Sequence, residues 1–205
     1  MMFLRYESFK DYVRYYPVST ILLAIIIVVH FGFMLVAAIQ GTPVNDLKFL
    51  YGGFIKVNGF EPEFWRYISS IFIHGHFAHL LFNAFSLYVF APPLERALGR
   101  FRYLFLFLFA GVVGNIFTSL FMNQIFSVGA SGSIYGIFGA YFYYMIYHRR
   151  SIDEASRRTL QMLLIIGIIF SVIMPNINFY AHLGGLIGGF VLNWLYSKFL
   201  QGRYT

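Results

Sequence analysis

Long apolar stretches without charged side chains alternate with short polar segments along this chain. Asp, Glu, Lys and Arg are absent from residues 15–45, 67–94, 103–148 and 159–197. A helix needs roughly 20 apolar residues to cross the hydrocarbon core of a bilayer, so the first two stretches can each hold one helix and the last two can each hold two. The pattern therefore predicts six membrane-spanning helices. We place them at about residues 18–39, 71–91, 103–122, 131–147, 160–174 and 178–196.

Prolines mark several of the predicted span boundaries. Pro17 suits the start of the first span, because the first turn of a helix does not need that amide hydrogen. Pro92 and Pro93 are expected to end the second span, and Pro175 the fifth, because proline removes a helical hydrogen bond. The sequence shows no boundary between soluble domains, so residues 1–205 are interpreted as one membrane domain.

Composition agrees with a membrane protein, and the positions of the basic residues predict its orientation. Hydrophobic residues make up 59% of the 205 residues and charged residues 11%, against about 25% charged residues in a soluble protein. The net charge of +7 comes from Lys and Arg in the two tails and in alternate connections, a distribution that does not suit a nucleic-acid interface. Positive charge favours the cytoplasmic side, so both termini are predicted to be cytoplasmic. The chain has no Cys, which excludes disulfide bonds and thiolate metal ligands.

The connection at residues 41–66 is unusually aromatic for a loop, and its charges are scattered. Aromatic side chains collect at the interface between lipid and water. We interpret this connection as an element that lies along the membrane surface. A small exposed lobe rich in turns is the alternative.

Ser131 is the candidate nucleophile, and it lies in the glycine-rich sequence GASG (129–132) at the start of the fourth predicted span. His182 occupies a matching position at the start of the sixth span, in AHLGG (181–185). A serine hydroxyl becomes a strong nucleophile only when a nearby base takes its proton. With both termini inside, both residues fall at the outward end of an inward-running helix, so they are expected at similar depth.

Small residues recur at four-residue intervals on the two helices that carry this serine and this histidine. They are Gly132, Gly136 and Ala140 in the fourth span and Ala181, Gly185 and Gly189 in the sixth. Small residues at this spacing allow two helices to approach closely. If the two faces pack together, Ser131 and His182 come within the distance of about 2.6 to 3.2 Å that proton transfer requires. The alternative is that the stripes serve packing alone.

The second predicted span carries several polar side chains. His79 and Asn83 are four residues apart and share a helix face, where they are candidate donors to an oxyanion together with backbone N–H groups near the serine. A zinc site built from His74, His76 and His79 is the alternative, but no carboxylate or thiolate lies near them in the sequence, so no metal is predicted. His30, in the first span, is expected to pack or to form a hydrogen bond rather than to catalyse.

These motifs resemble the signature sequences of the rhomboid intramembrane serine proteases. The matching sequences are GASG, AHLGG, HLLFN (79–83) and the pair Trp65-Arg66. The resemblance covers nearly the whole chain, with the motifs in the family's order. It implies an all-α polytopic membrane protein, a rhomboid-like bundle of six transmembrane helices of the minimal type found mostly in bacteria, in the cell membrane.

The resemblance also implies roles for individual residues. Ser131 would be the nucleophile, and His182 the general base and then the general acid. His79, Asn83 and the backbone N–H of Ser131 would form the oxyanion hole. Implied supporting residues are Tyr135, which would pack on the histidine, Gly129, Gly132, His74 and Arg66. No acidic side chain lies in a predicted span to complete a triad, so a dyad of serine and histidine is expected.

The implied activity is hydrolysis of peptide bonds in or near the transmembrane segments of membrane-protein substrates, without cofactor, metal or nucleic acid. Ser133 is a rival nucleophile by composition only, because it lies on the opposite helix face, and His76 receives no role. One alternative is a non-proteolytic rhomboid-like protein that binds client helices. Another is a small transporter, which would need charged residues along a path through the bilayer. The natural substrate and the oligomeric state are not indicated by the sequence.

Overall fold

The computed structural model describes residues 2–3, 6–57, 59, 61–174 and 177–201, and most of them are helical. The α-helices are α1 (Phe9–Tyr15), α2 (Pro17–Gln40), α3 (Val44–Leu50), α4 (Arg66–Ser69), α5 (Phe77–Leu98), α6 (Arg100–Phe121), α7 (Ser131–Tyr147), α8 (Glu154–Ile173) and α9 (Phe179–Gln201). Short 3₁₀ helices cover Ser70–Phe72 and Arg149–Ser151, and two strands, β1 (Phe54–Lys56) and β2 (Ile125–Ser127), pair antiparallel.

A helix of 17 to 24 residues lies in each region where a span was predicted, namely α2, α5, α6, α7, α8 and α9. Within the described residues, 4 of these helices are long and apolar enough to cross a membrane: α2, α5, α6 and α8. The fourth of the six, α7, begins at Ser131 and ends at Tyr147 as predicted. That α7 and α9 also cross the membrane, and that both termini are cytoplasmic, stay predictions.

The N-terminus of α2 is capped by a side chain from a distant helix. Pro17 opens α2 as predicted. Glu95 of α5, which is 2% exposed, accepts hydrogen bonds from the backbone N–H groups of Val18 (3.0 Å) and Ser19 (2.8 Å) and from the Ser19 hydroxyl (2.7 Å). Those N–H groups have no acceptor within their own helix, and a carboxylate is favoured at a helix N-terminus. Glu95, expected in a connection, therefore joins α2 to α5.

The prediction that Pro92 and Pro93 end the second span is wrong, because α5 continues through both to Leu98. A proline in the interior of an isolated helix costs about 3 kcal/mol. Beyond the prolines, however, Leu94 and Leu98 are buried in the core, and full burial of a leucine side chain contributes about 1.5 to 3 kcal/mol. Packing of this last segment thus offsets the loss of local helix stability.

The second span also begins later than predicted, since α5 starts at Phe77 rather than near Ile71. His76 caps the helix, because its ring nitrogen Nδ1 accepts a hydrogen bond from the backbone N–H of His79 (3.2 Å). His74 therefore lies in the non-helical segment that precedes α5. The capping role of His76 is one that the sequence analysis did not assign.

A carboxylate also caps α8, whose first residue follows Asp153. Asp153 accepts hydrogen bonds from the hydroxyl (2.7 Å) and the backbone N–H (3.0 Å) of Ser156. These hydrogen bonds lower the pKa of Asp153 to about 2, so the cap is ionised at neutral pH. At the other end α8 stops at Ile173, and Pro175, expected to end this span, lies outside the described residues.

The two predicted stripes of small residues do pack together, along the contact of α7 with α9. A Cβ built on Gly185 would overlap the carbonyl oxygen of Gly132, and one built on Gly189 would overlap that of Gly136. Both contacts advance in the same direction along the two chains, so the helices are parallel. This confirms the packing predicted from the stripes. Helix α6 contacts both members of the pair and completes the core of the fold.

The two short strands join the aromatic connection to the segment that leads into α7. Ile55 of β1 lies opposite Phe126 of β2. The connection at 41–66 thus contains α3 and β1, which the sequence analysis did not predict. Phe64 is 94% exposed and Trp65 is 45% exposed, and the placement of this segment along the membrane surface stays a prediction.

Candidate active site

Ser131 is the first residue of α7, and the turn before it is held in place by two hydrogen bonds. The backbone N–H of Gly129 donates to the carbonyl oxygen of Ser70 (2.9 Å), and that of Ala130 donates to Nε2 of His74 (3.4 Å). Gly129 has a φ of 131°, in a region that favours glycine. At this position the N–H of Ser131 has no acceptor within its helix and lies at the positive end of the helix dipole. The turn therefore presents a hydroxyl beside a backbone N–H that its own helix does not use.

His79 packs directly over this turn. A Cβ added to Gly129 would lie 2.6 Å from Cε1 of the His79 ring, so only glycine allows the ring to approach this closely. Asn83, 5% exposed, lies one turn further along α5, and its side-chain amide donates to the carbonyl oxygen of His79 (2.8 Å). His79 therefore lies beside the turn that carries Ser131, whereas the amide of Asn83 donates to the carbonyl oxygen of its own helix.

His182 of α9 stacks on Tyr135 of α7. Their ring centroids are 4.1 Å apart and their planes differ by 11°. Tyr135 is four residues after Ser131, so it lies one turn along the same helix face. His182 is 9% exposed, and the stacking places its ring one helical turn from the serine.

Among the described residues, the hydroxyl of Ser131 forms no hydrogen bond, and His182 uses its ring nitrogen Nδ1 to contact the hydroxyl of Ser171 (2.7 Å). The direct hydrogen bond between serine and histidine is thus not formed in this conformation. Catalytic hydrogen bonds are often long in unliganded enzymes and tighten when substrate binds. Ser131 and His182 thus lie at the same end of the α7 and α9 pair, without a hydrogen bond between them in this conformation.

Asn178 is a structural residue of the site that the sequence analysis missed. It directly precedes α9, and its side-chain oxygen accepts from the backbone N–H of Ala181 (3.0 Å). Its amide donates to the hydroxyls of Thr118 (2.9 Å) and Ser127 (3.0 Å). An asparagine directly before an apolar helical run is an N-cap signal, and this signal could have located it. Asn178 thereby fixes the start of the histidine helix against α6 and β2.

Ser171 of α8, 4% exposed, is the second residue that was missed. The only signal for it in the sequence is a hydroxyl four residues after Gly167 within an apolar run, a weak indication that two helices approach there. Its partner His182 is 11 residues further along the chain, and no sequence pattern predicts that contact.

Two buried or partly buried basic side chains stabilise the aromatic connection. Lys48, 2% exposed, donates to the carbonyl oxygen of Gly75 (2.8 Å), and burial lowers the pKa of its ammonium group. Arg66 donates to the carbonyl oxygens of Phe49 (2.8 Å) and Gly53 (2.9 Å). Arg66, the first residue of α4, thus stabilises the connection itself, and Lys48 joins that connection to the segment that precedes α5.

The three neighbouring histidines of the zinc alternative lie close together. The ring centroid of His79 is 5.2 Å from that of His74 and 5.8 Å from that of His76. In the part of the chain that the structure describes, no group of three or more His, Asp or Glu side chains is arranged to hold a metal ion. One nitrogen of His76 and one of His74 instead accept backbone hydrogen bonds.

Comparisons with known proteins show which protein family this chain is similar to. A family model for the Rhomboid domain matches residues 61–199. The Bacillus subtilis (strain 168) protein named "Putative rhomboid protease YdcA" is 38% identical over 209 residues, which cover 99% of this chain and 100% of the relative. "Rhomboid protease GluP" of the same organism is 36% identical over 130 residues, 63% of this chain and 25% of its own.

A plant relative, "RHOMBOID-like protein 6, mitochondrial" of Arabidopsis thaliana, is 32% identical over 134 residues, which cover 65% of this chain and 44% of the relative. The family model covers more than half of the chain, and one relative aligns along almost all of it. Together with the long apolar helices, these matches identify a multi-pass integral membrane protein. The chain belongs to the rhomboid family.

Proposed function

We propose that this protein is an intramembrane serine endopeptidase that hydrolyses peptide bonds in or near the transmembrane segments of other membrane proteins. Membership of the rhomboid family and the protease names of its relatives support an intramembrane protease. The observation that carries the serine mechanism is the stacking of His182 on Tyr135 at 4.1 Å, one turn from Ser131.

Ser131 acts as the nucleophile and His182 as the general base. The serine oxygen attacks the carbonyl carbon of the scissile bond while the histidine takes the hydroxyl proton. The histidine then returns this proton to the leaving amine, which departs and leaves an acyl-enzyme. Water activated by the same histidine hydrolyses the ester and regenerates the serine.

Hydrogen-bond donors near Ser131 stabilise the negative charge on the attacked oxygen. The backbone N–H of Ser131 at the start of α7 is one, and the side chains of His79 and Asn83 are the others. Preorganised donors of this kind are often the largest single contribution to catalysis in acyl transfer. Gly129 supports them because it lets the His79 ring lie against the turn, and His74 supports them by accepting from Ala130.

The substrates are membrane proteins, and the surrounding lipid bilayer is the second partner. Every backbone carbonyl inside an intact helix accepts a hydrogen bond, so the substrate must unwind locally before Ser131 can attack. By analogy with the rhomboid family, small residues at the cleaved bond and helix-weakening residues nearby are favoured. Similarity to a Bacillus protein along the whole chain supports the plasma membrane of a bacterium as the location.

The test uses the purified protein in liposomes with a model transmembrane substrate, and compares the wild type with Ser131→Ala. We expect the wild type to cleave, with or without a metal chelator, and the variant to lose at least about 10³-fold in rate, because the nucleophile itself is missing. Ser133→Ala is the matched control. Its hydroxyl is fully buried and, among the described residues, has no hydrogen-bond partner, so its removal should leave the rate within about twofold of the wild type.

Equal cleavage by the wild type and by Ser131→Ala would exclude the serine mechanism, and loss of cleavage on chelation would favour a metal. A wild type that binds the substrate without cleaving it would favour the client-binding alternative.

A further inference from the structure

Ser171 of α8 sits at the centre of a small hydrogen-bonded cluster behind the histidine. Its hydroxyl oxygen lies 2.6 Å from the carbonyl oxygen of Gly167, 2.7 Å from Nδ1 of His182 and 3.2 Å from the hydroxyl of Tyr135. The Ser171 side chain is 4% exposed. This buried hydroxyl therefore contacts Nδ1 of His182, the ring nitrogen that the proposed proton transfer does not use.

The positions of the hydrogens follow from which groups can donate. A carbonyl oxygen can only accept, so the 2.6 Å contact with Gly167 requires the hydroxyl proton of Ser171 to point at that carbonyl. Two oxygens this close with no proton between them would repel each other. The lone pairs of the Ser171 oxygen are then left to accept, and the partner at 2.7 Å, Nδ1 of His182, must carry a proton and donate it.

This arrangement of donors and acceptors around Ser171 determines the tautomer of His182. A neutral imidazole has one N–H nitrogen and one nitrogen with a free lone pair. With the proton on Nδ1, the lone pair is on Nε2, which is the atom left to accept the proton of Ser131.

We infer that Ser171 is a positioning residue that holds His182 in the tautomer and orientation required of a general base. The inference rests on the proposed function of His182. In soluble serine proteases a buried aspartate does this work and also stabilises the imidazolium that forms. Here a neutral hydroxyl occupies that place, in a segment where an ionised side chain would be costly because it lies at membrane depth.

The cluster also accounts for two neighbours of the histidine. A Cβ on Gly167 would lie 2.5 Å from the hydroxyl oxygen of Tyr135, so the glycine allows α8 to approach the tyrosine. The hydroxyl of Tyr135 can then donate to the second lone pair of Ser171, while its ring stacks on His182. The stacked ring of Tyr135 thus sets the plane of the imidazole, and the hydrogen bond with Ser171 sets the rotation of the imidazole within that plane.

The test compares Ser171→Ala and Ser171→Thr with the wild type, and Ser133→Ala serves as the control for loss of a buried hydroxyl. Two quantities are measured: kcat and KM for a transmembrane substrate in liposomes, and the protonation of the His182 ring nitrogens by ¹⁵N NMR of histidine-labelled protein in micelles. We expect Ser171→Ala to lower kcat about 10- to 100-fold with KM within about twofold, and to lose the single tautomer protonated on Nδ1. Ser171→Thr, which keeps the hydroxyl, should recover most of kcat, and Ser133→Ala should match the wild type in both measurements.

The inference is overturned if Ser171→Ala retains the kcat of the wild type, or if its histidine keeps the same protonation pattern. In that case cleavage by the wild type and its loss in Ser131→Ala would leave the proposed function intact. A wild type that cleaves nothing would overturn both.

Discussion

Replacing Ser131 by Ala, His182 by Ala, or both together is expected to lower kcat by nearly the same factor, about 10⁴ to 10⁶. The reason is that the two side chains act as one unit. Without the histidine, the serine hydroxyl keeps its proton and is a poor nucleophile, and without the serine, the histidine has nothing to activate. The second substitution therefore removes a function that the first has already abolished.

The measurement is single-turnover cleavage of one transmembrane substrate by the two single variants and the double variant. Residual rates should be equal within a few-fold and should reflect binding and the oxyanion donors alone. Losses that multiply in the double variant would show that the serine and the histidine contribute independently, and the dyad would have to be abandoned.

Adding one methyl group at Gly185 is expected to destabilise the protein strongly. A Cβ at this position would overlap the backbone carbonyl oxygen of Gly132, which cannot rotate away as a flexible side chain could. Overpacking a well-packed core typically costs about 1 to 3 kcal/mol, and a clash with backbone falls at the upper end of that range. Gly185→Ala should also lower activity, because it would force apart the helices that carry Ser131 and His182.

Gly32→Ala is the matched control for this experiment. Gly32 lies within α2, where a Cβ would meet no atom within 4 Å, and alanine favours a helix by about 1 kcal/mol over glycine. Thermal unfolding in detergent, followed by the loss of the monodisperse protein on size exclusion, should show a clear fall in Tm for Gly185→Ala and none for Gly32→Ala. Equal Tm values for the two variants would contradict the close packing of α7 against α9.

Local and periodic features of the site were predictable from the sequence. The start of α7 at Ser131 follows from a glycine-rich turn before an apolar run, and the contact between α7 and α9 follows from the two four-residue stripes. Each of these features is encoded by neighbouring residues or by a regular repeat. The helix that opens at Pro17 was predictable for the same reason.

Features that depend on distant contacts were not predictable. Glu95 caps a helix 76 residues earlier in the chain, and the contact of Ser171 with His182 depends on how α8 packs against α9. The prediction that α5 ends at Pro92 was wrong because it considered only the local effect of proline. Burial of the last turns of α5 against other helices is a tertiary effect, and it outweighs the local helix propensity. His76 was left without a role because a histidine is not among the usual N-cap residues.

The most direct measurement of the central claim is covalent labelling of the protein in liposomes with a fluorophosphonate, followed by mass spectrometry of the peptides. An activated serine oxygen attacks the phosphorus and displaces fluoride, and an ordinary serine does not react because its hydroxyl keeps its proton. We predict one phosphonylated residue, Ser131, with labelling lost in Ser131→Ala and His182→Ala and retained in Ser133→Ala. Labelling of another serine, or labelling of Ser131 that persists without His182, would contradict the account.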